Sequence, residues 1–358
     1  MISSQGPEVS SSDDPLLSPG RSVDGSGLLA LWKEPVRLFR LANLLREEEC
    51  GDVVTYVVNR NVNFTNRCVG SCRFCAFRCD DGYLLCEEEI LARVEEAERF
   101  SATEICIQGG LAPGLVLEDY CRILEAVREN YPRIHLHAYS PMEVYYMSEN
   151  SGTTVEESIR ELRAAGLGSM PGTAAEILVD RVRAEICPSK LSTEEWRDVI
   201  VTAHSLGVPT TSTILYGHLE RLEDRISHLL LLREIQAETG GFTEFVLLPF
   251  MPGNNDLGPS SSRVDPLENL KMHALARVAL HPLIGNIQAS WVKLGRDLAG
   301  RTVHWGVNDL GGTLMEENIS RTAGAVEGEW TTPGQFCDLI ERNGRVPVER
   351  TTLYRRVG

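Results

Sequence analysis

Strand-like and helix-like segments alternate along almost the whole chain, and nothing else in it limits the fold as strongly. The strand-like runs are 57–65, 104–108, 135–140, 167–171, 209–216, 244–250, 286–294 and 307–310. Helix-like runs fall between them. Residues 87–100 carry Ile90, Val94 and Ala97 at helical spacing, and 117–130, 155–165, 220–238 and 266–280 read similarly. Three S/T-x-x-E capping boxes mark further helix starts, at Thr173 with Glu176, Ser192 with Glu195, and Thr313 with Glu316. Eight strand-then-helix units in one chain predict an α/β protein whose sheet closes as a (β/α)8 TIM-type barrel. A doubly wound open sheet is the second choice. Its G-x-G-x-x-G turn after the first strand is absent, and cysteines stand there instead.

Ahead of the barrel, residues 1–26 are rich in Ser, Gly, Pro and Asp and predict a disordered tail. Residues 27–50 predict a helical N-terminal extension, with Leu29, Leu31 and Trp32 followed by Leu38, Leu41, Leu44 and Leu45, placed to cap the barrel bottom. The barrel domain is then 51–358.

The formal charge of −16 argues against a nucleic-acid partner, which needs clustered Lys and Arg. No apolar run approaches the roughly 18 residues of a membrane span. Residues 1–26 lack the basic end and apolar core of a secretory signal, so the ten cysteines predict a reducing cytoplasm rather than disulfides. Cys50, Cys106, Cys121, Cys187 and Cys337 are scattered singly and read as small core residues.

Directly after the first strand, Cys68, Cys72 and Cys75 fall at C-x3-C-x2-C spacing, with Phe74 before the third. Soft thiolates select zinc, copper(I) or an iron–sulfur cluster. Structural zinc favours two separated C-x2-C pairs, and no second pair exists, although Cys79 or Cys86 would supply a fourth ligand. Cys79 also makes a competing C-x2-C-x3-C set. A 4Fe–4S cluster on three cysteines keeps one iron open. This arrangement, on the loop after a first barrel strand, resembles the radical S-adenosylmethionine (SAM) superfamily.

That resemblance implies a 4Fe–4S cluster on Cys68, Cys72 and Cys75 and SAM as cosubstrate, with Phe74 against its adenine. Gly109-Gly110 after the second strand resembles the turn that meets the SAM amino group, though any tight βα turn favours glycine too. The run from Thr213 to His218, with Tyr216 and Gly217, resembles the adenine-contacting segment, and reads equally as a buried strand. His135, His137 and Tyr139 alternate along the third strand and so share one face. His137 and Tyr139 are candidate substrate contacts. On the seventh strand Gln288, Ser290 and Val292 share a face opposite Trp291 and Lys293, and Gln288 is the candidate. Asn308, Asp309 and Asn318 crowd a strand end and a helix start, where an anionic group is favoured.

With these stretches assembled, the chain resembles the FO synthase family, in particular its tyrosine-using subunit, where FO is the deazaflavin precursor of a redox coenzyme. The likeness rests on 63–77, 104–113, 137–143, 169–178, 241–252, 286–295 and 306–325. The related aminofutalosine synthase and dehypoxanthine futalosine cyclase share much of this pattern, and Gly311-Gly312-Thr313 favours FO synthase. Phe77-Arg78-Cys79 departs from the family pattern without touching the cysteine triad. The resemblance implies that an external electron donor drives cleavage of SAM to methionine and a 5′-deoxyadenosyl radical. The radical attacks L-tyrosine, its Cα–Cβ bond breaks to release 2-iminoacetate, and the 4-hydroxybenzyl group joins 5-amino-6-(D-ribitylamino)uracil. The other FO synthase subunit is the implied partner. A non-catalytic iron–sulfur electron carrier is the reading from another class, and it would ligate its cluster with four cysteines.

Overall fold

The computed structural model describes residues 23–260, 262–316, 318–324 and 330–357. Residues 1–22 of the expected tail lie outside the described residues, and the first helix, Gly25–Lys33, already begins at a cap supplied by Asp24. A second helix, Pro35–Cys50, follows where a single one was expected. Pro35 has no N–H and disfavours helical geometry in Glu34, which breaks the run. The first packs against the helices Leu222–Thr239 and Pro266–Leu280 on the outer layer, and the second against Pro266–Leu280.

Among the described residues nine strands follow: β1 Val53–Val57, β2 Asn59–Asn63, β3 Glu104–Gln108, β4 His135–Ala138, β5 Thr210–Tyr216, β6 Phe242–Pro249, β7 Ile287–Ala289, β8 Asp309–Gly312 and β9 Val346–Arg350. One sheet runs β5-β6-β7-β8-β1-β9 and the other β2-β3-β4. The two are arcs of one ring. β1 leads straight into β2 through Val58, and parallel bridges from His137 to Ser169 and from Met170 to Thr210 join β4 to β5. Ser169-Met170 is all that remains of the expected fourth strand. Every pairing between strands is parallel, as a (β/α)8 barrel requires.

Alternation along the strands sorts the side chains. Val62, Ile105, Ile107, Leu136, Phe245 and Leu247 are buried in the core cluster, together with Ile90, Val94 and Leu124 of the surrounding helices. The opposite face carries Asn59, Asn63, Glu104, Gln108, His137, Glu244, Gln288 and Asp309. Most barrels of this kind fill their interior with branched aliphatics; this one lines it with hydrogen-bonding groups.

The bottom is closed by the C-terminal segment. β9 runs parallel to β1, with Arg350 opposite Val57. The Arg350 guanidinium bonds Asp309 through Nε at 2.5 Å and Nη2 at 3.1 Å, and Glu244 at 3.2 Å. Tyr354 donates its hydroxyl to the same Glu244. Glu104, Glu244 and Asp309 all stand at or near the N-terminal ends of their strands, so this network is the barrel floor.

Four more expected elements differ. Tyr139 has φ +59°, which ends β4, and Ser140 then caps an unforeseen helix, Pro141–Ser151. Residues 173–176 start no helix: Ala174 and Glu176 take positive φ, and the helix is Asp180–Ile186. β7 stops at Ala289, and Trp291–Leu294 is helical, so Ser290, Val292 and Lys293 do not continue its faces. Thr313 caps nothing, because its hydroxyl donates to the Asn59 carbonyl (2.7 Å) and accepts from the Asn59 N–H (3.0 Å). Among the described residues no helix is long and apolar enough to cross a membrane.

Four buried imidazoles give the fold a pH dependence. Burial holds His137, His204 and His273 down at about 4 and His228 at about 3, against an ordinary 6.5. Between these values the unfolded chain binds more protons than the folded one. Stability is therefore fully present above pH 6.5 and is lost as the pH falls towards 4. Glu244, pushed up by burial to about 7, and Glu143 and Glu349, also raised by burial, act in the opposite sense above their ordinary 4.5, while His135, His281 and His304, lowered by burial, add to the four. The urea midpoint of the metal-free protein is expected to be lower at pH 5 than at pH 7.

Candidate active site

The cysteine loop is pinned on every side. At its base Thr65 bridges Leu84, and the Arg67 Nε donates to Gly82 O at 2.6 Å. At its crest Val69 N–H donates to Leu111 O, Arg73 N–H to Ile186 O and Ser71 N–H to Ser189 Oγ. Arg78 closes it internally with a 2.6 Å bond to Gly70 O. A loop so restrained holds its ligands without paying for their ordering on each binding event.

Gly70 N–H donates to the Cys68 sulfur at 3.3 Å, and a Cβ on Gly70 would stand 3.2 Å from Cys68 Sγ and 3.9 Å from Cys72 Sγ. Both sulfurs therefore face one small region beside the loop. Cys68, Cys72 and Cys75 are partly buried, whereas Cys79 and Cys86 are exposed. Cys86 stands at the N-cap of the helix Glu87–Arg99, its N–H bonded to Glu89 at 2.8 Å. Among the described residues no three His, Cys, Asp or Glu side chains close on a point suited to a single metal ion. Thiolates that each bind a different iron of a cluster stand further apart than that. By its donor chemistry the loop fits an iron–sulfur cluster with three protein ligands.

Gly109 and Gly110 end β3 directly beneath this loop. A Cβ on Gly110 would come within 2.2 Å of Arg67 O and 2.9 Å of Cys68 Cβ, so only glycine lets the two segments meet. Gly110→Ala is expected to displace the cysteine loop and to lower the iron bound per chain, read by iron and sulfide assay of the reconstituted protein. Gly109 N–H is held by the Glu143 carboxylate at 3.0 Å. That buried carboxylate also accepts from the Ser140 N–H and hydroxyl, both at 2.7 Å. Burial pushes its pKa up against these bonds.

The structure brings some of the expected residues together and disperses others. Phe74 lies between two of the cysteines and is partly buried. Tyr216 turns away from the interior: its ring is fully buried and its hydroxyl meets Asn269 Oδ1 at 2.5 Å. Gly217, at φ +90°, donates its N–H to Glu220. Burial pushes Glu220 up, but His218 and Arg225 outweigh it and hold it at about 2. His137 and Gln288 do face the interior. The Ser169 hydroxyl joins His137 Nδ1 (2.7 Å) to His135 Nε2 (2.8 Å). The Gln288 amide lies over Gly311, where a Cβ would meet its Nε2 at 2.7 Å.

Tyr139 leaves the His137 face because of its positive φ. It packs edge-on against Phe64 and Tyr120 and donates its hydroxyl to Tyr120 O. Asn308 is consumed by Arg277, the Ile287 N–H and Asn286. Asp309 is the floor's partner for Arg350. Asn318 lies on the outer side of β2, where Arg60, Arg93, Glu96 and Glu316 line a cavity of about 490 Å³. These three do not form one substrate site. Sequence reasoning overlooked Glu143, Glu176, Lys190, Glu244 and Arg350. For Glu143 a signal existed, in the Ser140-x-x-Glu143 box with Pro141 at the first helical position.

Residues 62–232 match the radical SAM superfamily, and residues 239–357 match the CofH/MqnC C-terminal region. The 5-amino-6-(D-ribitylamino)uracil–L-tyrosine 4-hydroxyphenyl transferase 1 of Methanosarcina mazei is 55% identical over 341 residues, covering 94% of this chain and 91% of that protein. The transferase of Archaeoglobus fulgidus is 56% identical over 324 residues, covering 90% and 94%. The chain belongs to this transferase family. Methylornithine synthase shares its fold at a TM-score of 0.74 and 17% identity, over 92% of this chain and 95% of that one. The [FeFe]-hydrogenase maturase HydG does so at 0.73 and 16%, over 94% and 74%. Both sequence matches place the family's two regions end to end on one barrel. The first holds the cysteine loop, and the second brings Gln288, the Gly311 turn and the Arg350 floor.

Proposed function

We propose that this protein transfers the 4-hydroxybenzyl group of L-tyrosine to 5-amino-6-(D-ribitylamino)uracil, releasing 2-iminoacetate, methionine and 5′-deoxyadenosine. The observation that carries this reading is the three-thiol loop clamped over a polar barrel interior in a chain of this family. A 4Fe–4S cluster supplies, when bound, the electron that cleaves SAM to methionine and a carbon-centred radical.

Cys68, Cys72 and Cys75 would hold that cluster, and the backbone at Gly109-Gly110, packed against Arg67 and Cys68, would meet SAM beside it. Phe74 covers one side of the loop. His137, neutral at physiological pH and with Nδ1 taken by Ser169, offers its other ring nitrogen to the substrates inside the barrel, and the Gln288 carboxamide offers a donor and an acceptor. Gly311 leaves the space that Gln288 needs. Below them the Arg350 floor shuts out water from the strands' N-terminal side, which keeps a radical from being quenched. An external electron donor and the other FO synthase subunit complete the system.

The test is an anaerobic incubation of the reconstituted protein with SAM, a reductant, tyrosine and the ribityl uracil. Formation of 5′-deoxyadenosine together with the hydroxybenzyl adduct is expected. Formation of 5′-deoxyadenosine only with a futalosine-type substrate contradicts the reading.

A further inference from the structure

The short segment Cys187-Pro188-Ser189-Lys190 leaves the helix Asp180–Ile186 and docks on the cysteine loop. Arg73 N–H bonds Ile186 O at 2.9 Å, and Ser71 N–H bonds Ser189 Oγ at 2.8 Å. This docking carries Lys190 inward, leaving 17% of its side chain accessible. Its ammonium sits 5.3 Å from the centre of the Phe74 ring, the residue immediately before Cys75. Its charged partner is Glu176, at 2.5 Å and more buried still, with 11% of its side chain accessible.

Such a pair is costly to bury, since neither ion recovers its full hydration. Glu176 is also held at φ +46°, a left-handed conformation that side-chain-bearing residues adopt only under constraint. Lys190 caps no helix and joins no strand. A buried ammonium beside the ligand loop does have one electrostatic consequence. Reduction adds a negative charge to a cluster, and a nearby cation in a low-dielectric setting favours that added charge.

We propose that Lys190 sets the reduction potential of the bound iron–sulfur cluster, its ammonium favouring the reduced state while Glu176 moderates it. The inference rests on the cluster reading given above. It concerns a single step, in which one electron passes from the external donor to the cluster, with no bond formed or broken. Lys190 is a positioning charge and needs no contact with substrate.

The two partners make the proposal testable, because their removal pulls in opposite directions. Potentiometric titration followed by electron paramagnetic resonance, on reconstituted protein without SAM, reads the midpoint directly. Lys190→Met is expected to shift it to more negative potential and Glu176→Gln to more positive potential. Lys190→Arg stays near the wild type, and Lys190→Gln replaces the methionine variant if that one loses its cluster. Variants that shift together, or that keep the wild-type midpoint at full iron and sulfide content, overturn the proposal. Wild-type protein that takes up no iron and sulfide overturns the cluster reading itself, and this proposal with it.

Discussion

Cys68→Ala, Cys72→Ala and Cys75→Ala each abolish turnover and lose the cluster's visible absorption, while Cys79→Ala keeps both. The expectation follows from where the sulfurs point. Cys68 and Cys72 share the space beside Gly70, whereas Cys79 is exposed and its backbone N–H is committed to Asn66 O. A cluster on three cysteines has no spare protein ligand, so losing any one leaves two. Iron and sulfide content, measured beside activity, separates lost ligation from damaged folding. Loss of the cluster in the Cys79 variant would assign the triad to Cys72, Cys75 and Cys79 instead.

Arg350→Met is expected to destabilise the protein by about 3–5 kcal/mol, the usual cost of stranding buried charges. Arg350 is 3% exposed and stands between Asp309 and Glu244, both nearly sealed from solvent. Removing the guanidinium leaves the Asp309 carboxylate unpaired beside Glu244, whose pKa then rises further, with only Tyr354, Thr55 and backbone donors to hold them. Urea unfolding at pH 7 measures the loss. Adding Asp309→Asn and Glu244→Gln to the same variant removes the stranded charge and is expected to recover part of the stability. No recovery would show that the floor's worth lies in packing rather than charge.

The two predictions concern parts of the molecule that differ in how far the sequence reveals them. The cysteine loop is local: its spacing, its position after the first strand and the glycine pair beneath it all lie within a few dozen residues. Helices such as Leu117–Asn130 and Pro266–Leu280 were equally plain, since periodicity bounded both and a Pro start marked the second. The floor has no such signature. Glu104, Glu244, Asp309 and the pair Arg350 and Tyr354 come from four distant places and look like ordinary charged or aromatic residues until the ring closes. Asp309 therefore passed for a substrate contact.

Local motifs also misled where a tertiary contact took the same atoms. Thr313-x-x-Glu316 has the form of a capping box, yet β2 claims the threonine hydroxyl and Arg60 and Arg93 claim the glutamate. Thr173-x-x-Glu176 failed for a similar reason. Three carbonyls of that stretch accept from buried Arg183, and Glu176 is drawn to Lys190. The run over 286–294 looked like one long strand because Gln288 and Ser290 alternate with Ile287, Ala289 and Trp291. Its turn at Ser290 buries Trp291 instead and lets the indole donate to Gly312 O at 3.0 Å.

The central claim is that the tyrosine side chain is cut from its amino-acid backbone and passed to the uracil. Isotopic labels tell this most directly. Tyrosine labelled at Cβ should send its label into the uracil adduct. Tyrosine labelled at Cα should send it into glyoxylate, the hydrolysis product of 2-iminoacetate, and none into the adduct. Both labels arriving in the adduct, or neither, would contradict the account.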